Sequence, residues 1–366
     1  MTTRWLTRVA WMTMPGLVLA CGGFSSTPSG DIRYATVSHL LVGGGFTSCA
    51  NGPIGAVAAI AVDRAGIVYL ADAADPYQRV DRLSADGKLV VFAGNGKNNG
   101  DTWQAAYEGR LATSVEVMAQ GLTIDASGNV YIAGDYGRVF RVGTDGRIHW
   151  MAGRGQRQRF SGDGGPARLA DFFSPRGLLT DSFGNLYISD YFNHRVRRVS
   201  PDGRITTVAG SGKQGHLGDG GLATSALLEN PDGLALDSAG DVYIADSTGI
   251  RKITPDGMIA TIAGNHGEAN TGFEGQAVNA SLEAVKGIAL DNRGNVYIAS
   301  SALQIDSALA NHDGGLFVIT TDGVLHRILQ GTANGENMNA VVAVTSDPQG
   351  NIYYARECGI YRLGWN

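Results

Sequence analysis

PRGLLTDSFGNLYISDYFNHRVRRVSPDGRITTVAG, residues 175–210, holds four short apolar runs at 177–180, 186–189, 196–199 and 205–208. Asp181-Ser182-Phe183-Gly184 separates the first two runs, and Asp202-Gly203 separates the last two. Tight turns between period-2 runs predict a four-stranded antiparallel meander. So small a sheet is not stable alone and needs copies of itself as neighbours.

The copies are in the chain. Asp-x-x-Gly turns begin at Asp63, Asp125, Asp181, Asp237, Asp291 and Asp347, at spacings of 62, 56, 56, 54 and 56 residues. Six residues after each Asp stands a tyrosine: Tyr69, Tyr131, Tyr187, Tyr243, Tyr297 and Tyr353. Four residues before each Asp stands Ala59, Gly121, Gly177, Gly233, Gly287 or Ala343. The next position is Ile60, Leu122, Leu178, Leu234, Ile288 or Val344. A small face and a large face on each first strand suit the crowding around a common axis. The tyrosines read as core residues with a hydrogen-bonded hydroxyl.

This pattern resembles the NHL-repeat family, named for a motif that appears here as Asn193-His194 and a hydrophobic run. The similarity covers residues 35–366. It implies an all-β, six-bladed β-propeller of four-stranded antiparallel blades. Residues 37–43 look like a fourth strand without its first three, and the sixth repeat stops after its third strand. The N-terminal strand is therefore expected to join the last blade and close the ring, which removes exposed edges.

Residues 1–20 read as a signal peptide, with Arg4 and Arg8 ahead of an apolar run too short to span a bilayer. The run ends Val18-Leu19-Ala20-Cys21, which looks like a bacterial lipobox with Cys21 as the lipidated residue. Leu19 and Pro15-Gly16 fit that motif less well, so an ordinary cleaved secretion signal stays open. Residues 21–34 read as a flexible tether. The expected location is the cell envelope, lipid-anchored at the outer membrane by resemblance to enterobacterial sorting, otherwise periplasmic or secreted. Contact with the membrane would then be through the lipid anchor only.

Net charge is −5, and removal of Arg4 and Arg8 with a leader makes it −7. An acidic chain argues against nucleic acid as a partner. Ring closure would place Cys49 and Cys358 in neighbouring loops, where an exported protein can form a disulfide. Two unrelated buried thiols are the alternative. The connections at 94–118, 153–174, 210–230 and 264–284 are long, and two carry a Gly-Asp-Gly-Gly core at 162–165 and 218–221. With the link at 300–315, they are expected on one face, the top, where function most often sits.

Several motifs carry no chemistry. The GxGxxG at 210–215 follows an outer strand and not a βαβ strand, so no dinucleotide cofactor is expected. Neither a P-loop nor HExxH, CxxC or GxSxG is present. His194 reads as a loop-packing residue. His216, His266 and His312 lie in top loops and read as solvated rather than as zinc ligands. Asp72, Asp135, Asp190 and Asp246 end second strands and are expected to bind loop amides or a nearby arginine.

One column differs in every blade. Five residues before each turn Asp, where the axial channel opens at the top, stand Ala58, Gln120, Arg176, Asp232, Lys286 and Val342. Gln120, Arg176, Asp232 and Lys286 form an arc beside the loop that holds His312. Two cations and one carboxylate suit an anionic or zwitterionic ligand better than a bare metal ion. A salt-bridged plug is the competing reading. The resemblance implies a non-catalytic scaffold that binds a protein, peptide or anionic small molecule on its top face. It also admits enzymes of gluconolactonase-like, streptogramin-lyase-like or amidating-lyase-like type, but only Asp232 of the six positions is anionic. No catalytic residue, metal or cofactor is expected.

Overall fold

The computed structural model describes residues 34–42, 56–73, 78–84, 86–97, 107–155, 159–266, 275–302, 315–329, 341–356 and 359–365. They form six antiparallel sheets. Blades 1 to 4 are meanders of four consecutive strands within residues 57–93, 119–152, 175–209 and 231–263. Blade 5 (283–329) has a fifth strand, Gly275–Gln276, on its outer edge. Blade 6 consists of Val341–Ser346, Ile352–Arg356 and Gly359–Trp365, with Tyr34–Val42 as its outermost strand. The pairing runs from Tyr34 opposite Trp365 to Val42 opposite Gly359.

The core lies between blades. The second strand of every blade carries a fully or almost fully buried residue at its centre: Leu70, Ile132, Ile188, Ile244, Ile298 and Tyr354. Burying one such aliphatic side chain stabilises by about 1.5–3 kcal/mol. Each cluster joins two neighbours. Tyr69 and Ala71 of blade 1 pack with Leu122 and Ile132 of blade 2. Val57 and Ile60 of blade 1 pack with Ala343, Tyr353 and Ile360 of blade 6, so the apolar interior is continuous around the ring.

In blades 2, 3, 5 and 6 the Asp-x-x-Gly turn is a hydrogen-bond node whose aspartate accepts four bonds. Asp181 Oδ1 accepts the amides of Phe183 and Asn185 at 2.9 and 2.8 Å. Its Oδ2 accepts Asn185 Nδ2 at 2.7 Å and the Tyr187 hydroxyl at 3.3 Å. The same tyrosine-to-aspartate bond recurs in blades 2, 4, 5 and 6. In blade 1 Ile67 replaces the asparagine; the Asp63 charge still raises the Tyr69 hydroxyl's pKa, after burial. Burial and Asp347 push Tyr353 up to about 12.

The connections between blades depart from expectation. Gly164 N donates to Ile205 O, and Ile205 N donates to Gly165 O. Gly220 and Gly221 repeat this with Ile259, and Gly109 and Arg110 with Ile148. The Gly-Asp-Gly-Gly cores therefore run along the outermost strand of the following blade and satisfy its free edge. They do not hang over the channel mouth. Asp163 accepts a hydrogen bond from the fully buried Arg197 at 2.7 Å, and Asp219 accepts one from the fully buried Arg251 at 2.6 Å. Each Ala-rich continuation is a single 3-10 turn, Ala167–Leu169 or Ala223–Ser225.

Candidate functional site at the channel mouth

The innermost strands surround an axial cavity of about 290 Å³, lined by all six blades and including Gln120, Arg176, Asp232 and Lys286. The glycine column sets their spacing. A Cβ at Gly121 would lie 1.8 Å from the Arg176 carbonyl oxygen, and one at Gly177 would lie 1.9 Å from the Asp232 carbonyl oxygen. At Gly233 it would lie 2.9 Å from the Lys286 carbonyl oxygen. The missing side chain on one blade is thus the seat of the next mouth residue. Fully buried Ser189 adds a hydroxyl bond to the Asp232 carbonyl at 2.5 Å.

The arc divides in two. Arg176 Nη1 donates to Asp232 Oδ2 at 3.1 Å, and the guanidinium lies 3.7 Å from the Tyr191 ring centre. Lys286 makes no ion pair with any described residue, although it adds to the positive field on Asp232. Burial raises the Asp232 carboxyl above the usual carboxylate range, opposed by Arg176 and then Lys286. Among the described residues the mouth thus contains one internal salt bridge, Arg176–Asp232, and one cation, Lys286, that makes no ion pair. Arg176 Nε is also without a hydrogen-bond partner. The plug reading fits the Arg176–Asp232 half of the arc and not Lys286.

His312, Cys21, Cys49 and Cys358 lie outside the described residues, as does the side chain of Asp135. His194 Nδ1 accepts the Asn230 amide at 3.3 Å and so joins blade 3 to the start of blade 4. His216 and His266, expected to be separate solvated residues, stack face to face with ring centres 4.1 Å apart. His266 Nδ1 is 3.0 Å from Thr248 Oγ1. Burial, then the neighbouring His216, lowers the His266 pKa and favours its neutral ring. Among the described residues no three His, Cys, Asp or Glu side chains are grouped to hold a metal ion.

The second-strand aspartates hold loop amides. Asp72 Oδ1 accepts Ala56 N at 3.1 Å, Asp190 Oδ1 accepts Phe173 N at 2.8 Å, and Asp246 Oδ1 accepts Glu229 N at 2.5 Å. The Oδ2 atoms of Asp190 and Asp246 accept no hydrogen bond. Arg197 and Arg251 lie 3.6 and 3.8 Å from them. Burial pushes Asp190 up to about 6 and Asp246 up to about 7.

Sequence reasoning missed a group of aromatic side chains beside the mouth. Tyr191 and Phe192 pack edge to face at 4.7 Å, and Phe192 lies 4.7 Å from Phe173. The sequence does show Phe173 and Tyr191-Phe192, but they lie on two loops that only the fold brings together.

A family model of the teneurin NHL domain matches residues 211–271, which include blade 4. Teneurin-m of Drosophila melanogaster is 30% identical over 168 residues, covering 42% of this chain and 6% of that protein. The chain spans 6% of the length of the first teneurins it matches. A gluconolactonase structure from Xanthomonas campestris aligns with TM-score 0.57 and 16% identity over 89% of this chain and 88% of that one. A streptogramin B lyase structure aligns with TM-score 0.52 and 13% identity over 90% and 98%. At such identities the two structures speak for the fold alone. The chain is a six-bladed β-propeller, and its stretch at 211–271 is similar to the teneurin NHL domain.

Proposed function

We propose that this propeller is a non-catalytic binding module that takes an anionic ligand at its channel mouth. The observation that carries this reading is Lys286, a cation at the mouth of a 290 Å³ cavity with no ion-pair partner among the described residues. Arg176, whose charge Asp232 already balances, adds hydrogen-bond donors. A carboxylate there would gain charge-assisted hydrogen bonds, each worth about 1.5–3 kcal/mol. The hydrolase or lyase alternative draws on the shape shared with the gluconolactonase and the streptogramin B lyase. Elemental analysis of purified protein separates the two, because stoichiometric calcium or zinc would favour the enzyme.

The test of the binding reading is calorimetric titration with acetyl-glycyl-alanine and with gluconate. Binding of either that weakens at least tenfold in Lys286→Ala, with the fold retained, supports the site. Affinity unchanged by Lys286→Ala and by Arg176→Ala removes it. We further propose that Cys21 carries a lipid anchor at the cell envelope and that Cys49 bonds to Cys358. Lipid label surviving in Cys21→Ser, or two free thiols in exported protein, would contradict these readings.

A further inference from the structure

The mouth is not symmetric in its surroundings. On the side of blade 3, Arg176 leans on Tyr191, Tyr191 meets Phe192, and Phe192 meets Phe173. Phe192 is 44% exposed. An unbroken aromatic path thus runs from the guanidinium at the mouth to open surface.

This path is held rigid from beneath. The Phe192 amide donates to the Phe173 carbonyl at 3.1 Å, and the Phe173 amide donates to Asp190 Oδ1. Buried Asn193 donates to the same Asp190 oxygen at 2.9 Å and to the Arg159 carbonyl at 2.8 Å. His194 closes the turn in the left-handed region with φ of 51°. Two loops from different parts of the chain are therefore pinned through one buried carboxylate. Aromatic side chains held in fixed positions lose little entropy when a ligand covers them.

The Arg176 guanidinium lies at one end of this path and the exposed ring at the other. The innermost strands are edge strands of their sheets, so they leave backbone donors and acceptors facing the channel. A carboxylate, a neighbouring ring and an amide are what these three features complement.

We propose that the Phe173–Phe192 surface is a shelf for an aromatic ring, and that the site takes the end of a peptide whose last residue is aromatic. Its terminal carboxylate lies between Lys286 and Arg176, its ring covers Phe192, and its preceding amide meets the free strand edges. This inference rests on the mouth being a ligand site and adds what that ligand is.

The test uses four probes in titrations against the full-length protein: acetyl-glycyl-phenylalanine, its C-terminal amide, acetyl-glycyl-alanine and phenylacetate. The expected result is that acetyl-glycyl-phenylalanine binds at least tenfold tighter than each of the others. Phe192→Ala should erase its advantage over acetyl-glycyl-alanine and leave the alanine probe unchanged, with an unaltered melting curve. Equal binding of the phenylalanine and alanine acids would overturn the shelf and leave the carboxylate site standing. An amide that binds as well as the acid would overturn the joint recognition of ring and charge. Phenylacetate that matches the dipeptide would overturn the peptide assignment. If no carboxylate binds, the mouth reading falls and takes the shelf with it.

Discussion

The two ends of the innermost strands differ in kind. At the lower end every blade repeats one device, an aspartate followed six residues later by a tyrosine. Asp181, Asp125, Asp291 and Asp347 each accept four hydrogen bonds there. At the upper end the six blades offer Ala58, Gln120, Arg176, Asp232, Lys286 and Val342. The buried carboxylates near that end, Asp190 and Asp246, each leave one oxygen without a hydrogen bond. A repeated requirement of the fold repeats in the sequence. Where the fold requires nothing, each blade is free to carry a different residue.

The largest effect should come from opening the ring. Deletion of residues 35–45 would remove the strand paired with Gly359–Trp365 and expose an edge. The expected outcome is aggregation or loss of cooperative unfolding, read by light scattering and thermal melting. A monomeric variant with unchanged melting would mean that neither end of the strands depends on closure.

Next in size is the glycine column that joins the two ends. Gly177→Ala would drive a methyl into the Asp232 carbonyl. Backbone cannot swing aside as a side chain can, so the cost should reach or exceed the roughly 3 kcal/mol at the upper end of overpacking. Denaturant unfolding measures it. A cost near zero would show that blades 3 and 4 slide easily and that the mouth is not fixed by this contact.

The carboxylates with one oxygen left without a hydrogen bond give a third test. Asp246 has a folded-state pKa of about 7, above the usual 3.8. The folded state therefore holds that proton more tightly than the unfolded chain does. The stability it gives is full below about pH 4 and is lost as pH rises toward 7. Between pH 5 and pH 8 this amounts to about 2–3 kcal/mol. Asp246→Asn should flatten that part of the stability profile. An unchanged profile in Asp246→Asn would erase the contrast.

The smallest effect belongs to the saturated end. Tyr297→Phe removes one of four donors to Asp291 and should cost about 0.5–1.5 kcal/mol without changing ligand binding. A change in affinity would show that the lower end is not purely structural.

The same contrast explains what was legible in the sequence. Blade number, strand order and the roles of the glycine and tyrosine columns were readable because six copies stated them. The arc of Gln120, Arg176, Asp232 and Lys286 was readable as a column, but not its division into a salt bridge and a cation without an ion pair among the described residues. That division depends on which side chains reach each other. The Gly-Asp-Gly-Gly connections were misplaced because loop length alone does not say which edge a loop follows. Arg197 and Arg251, fully buried beneath them, were the available signal, since Phe140 and Phe317 hold the same position in blades 2 and 5. The contact of Phe173 with Phe192 had no periodic signal at all.

The most direct test of the contrast is a set of four melting curves: the protein and its Lys286→Ala variant, each with and without saturating acetyl-glycyl-phenylalanine. A ligand at about a hundred times its dissociation constant stabilises by about 2.7 kcal/mol, enough to raise the melting temperature by several degrees. Equal melting temperatures are expected without the peptide, and with the same peptide concentration a rise in the variant no more than about half of that in the unaltered protein. A variant that melts lower without the peptide, together with no rise in either protein, would make Lys286 a structural residue and contradict the account.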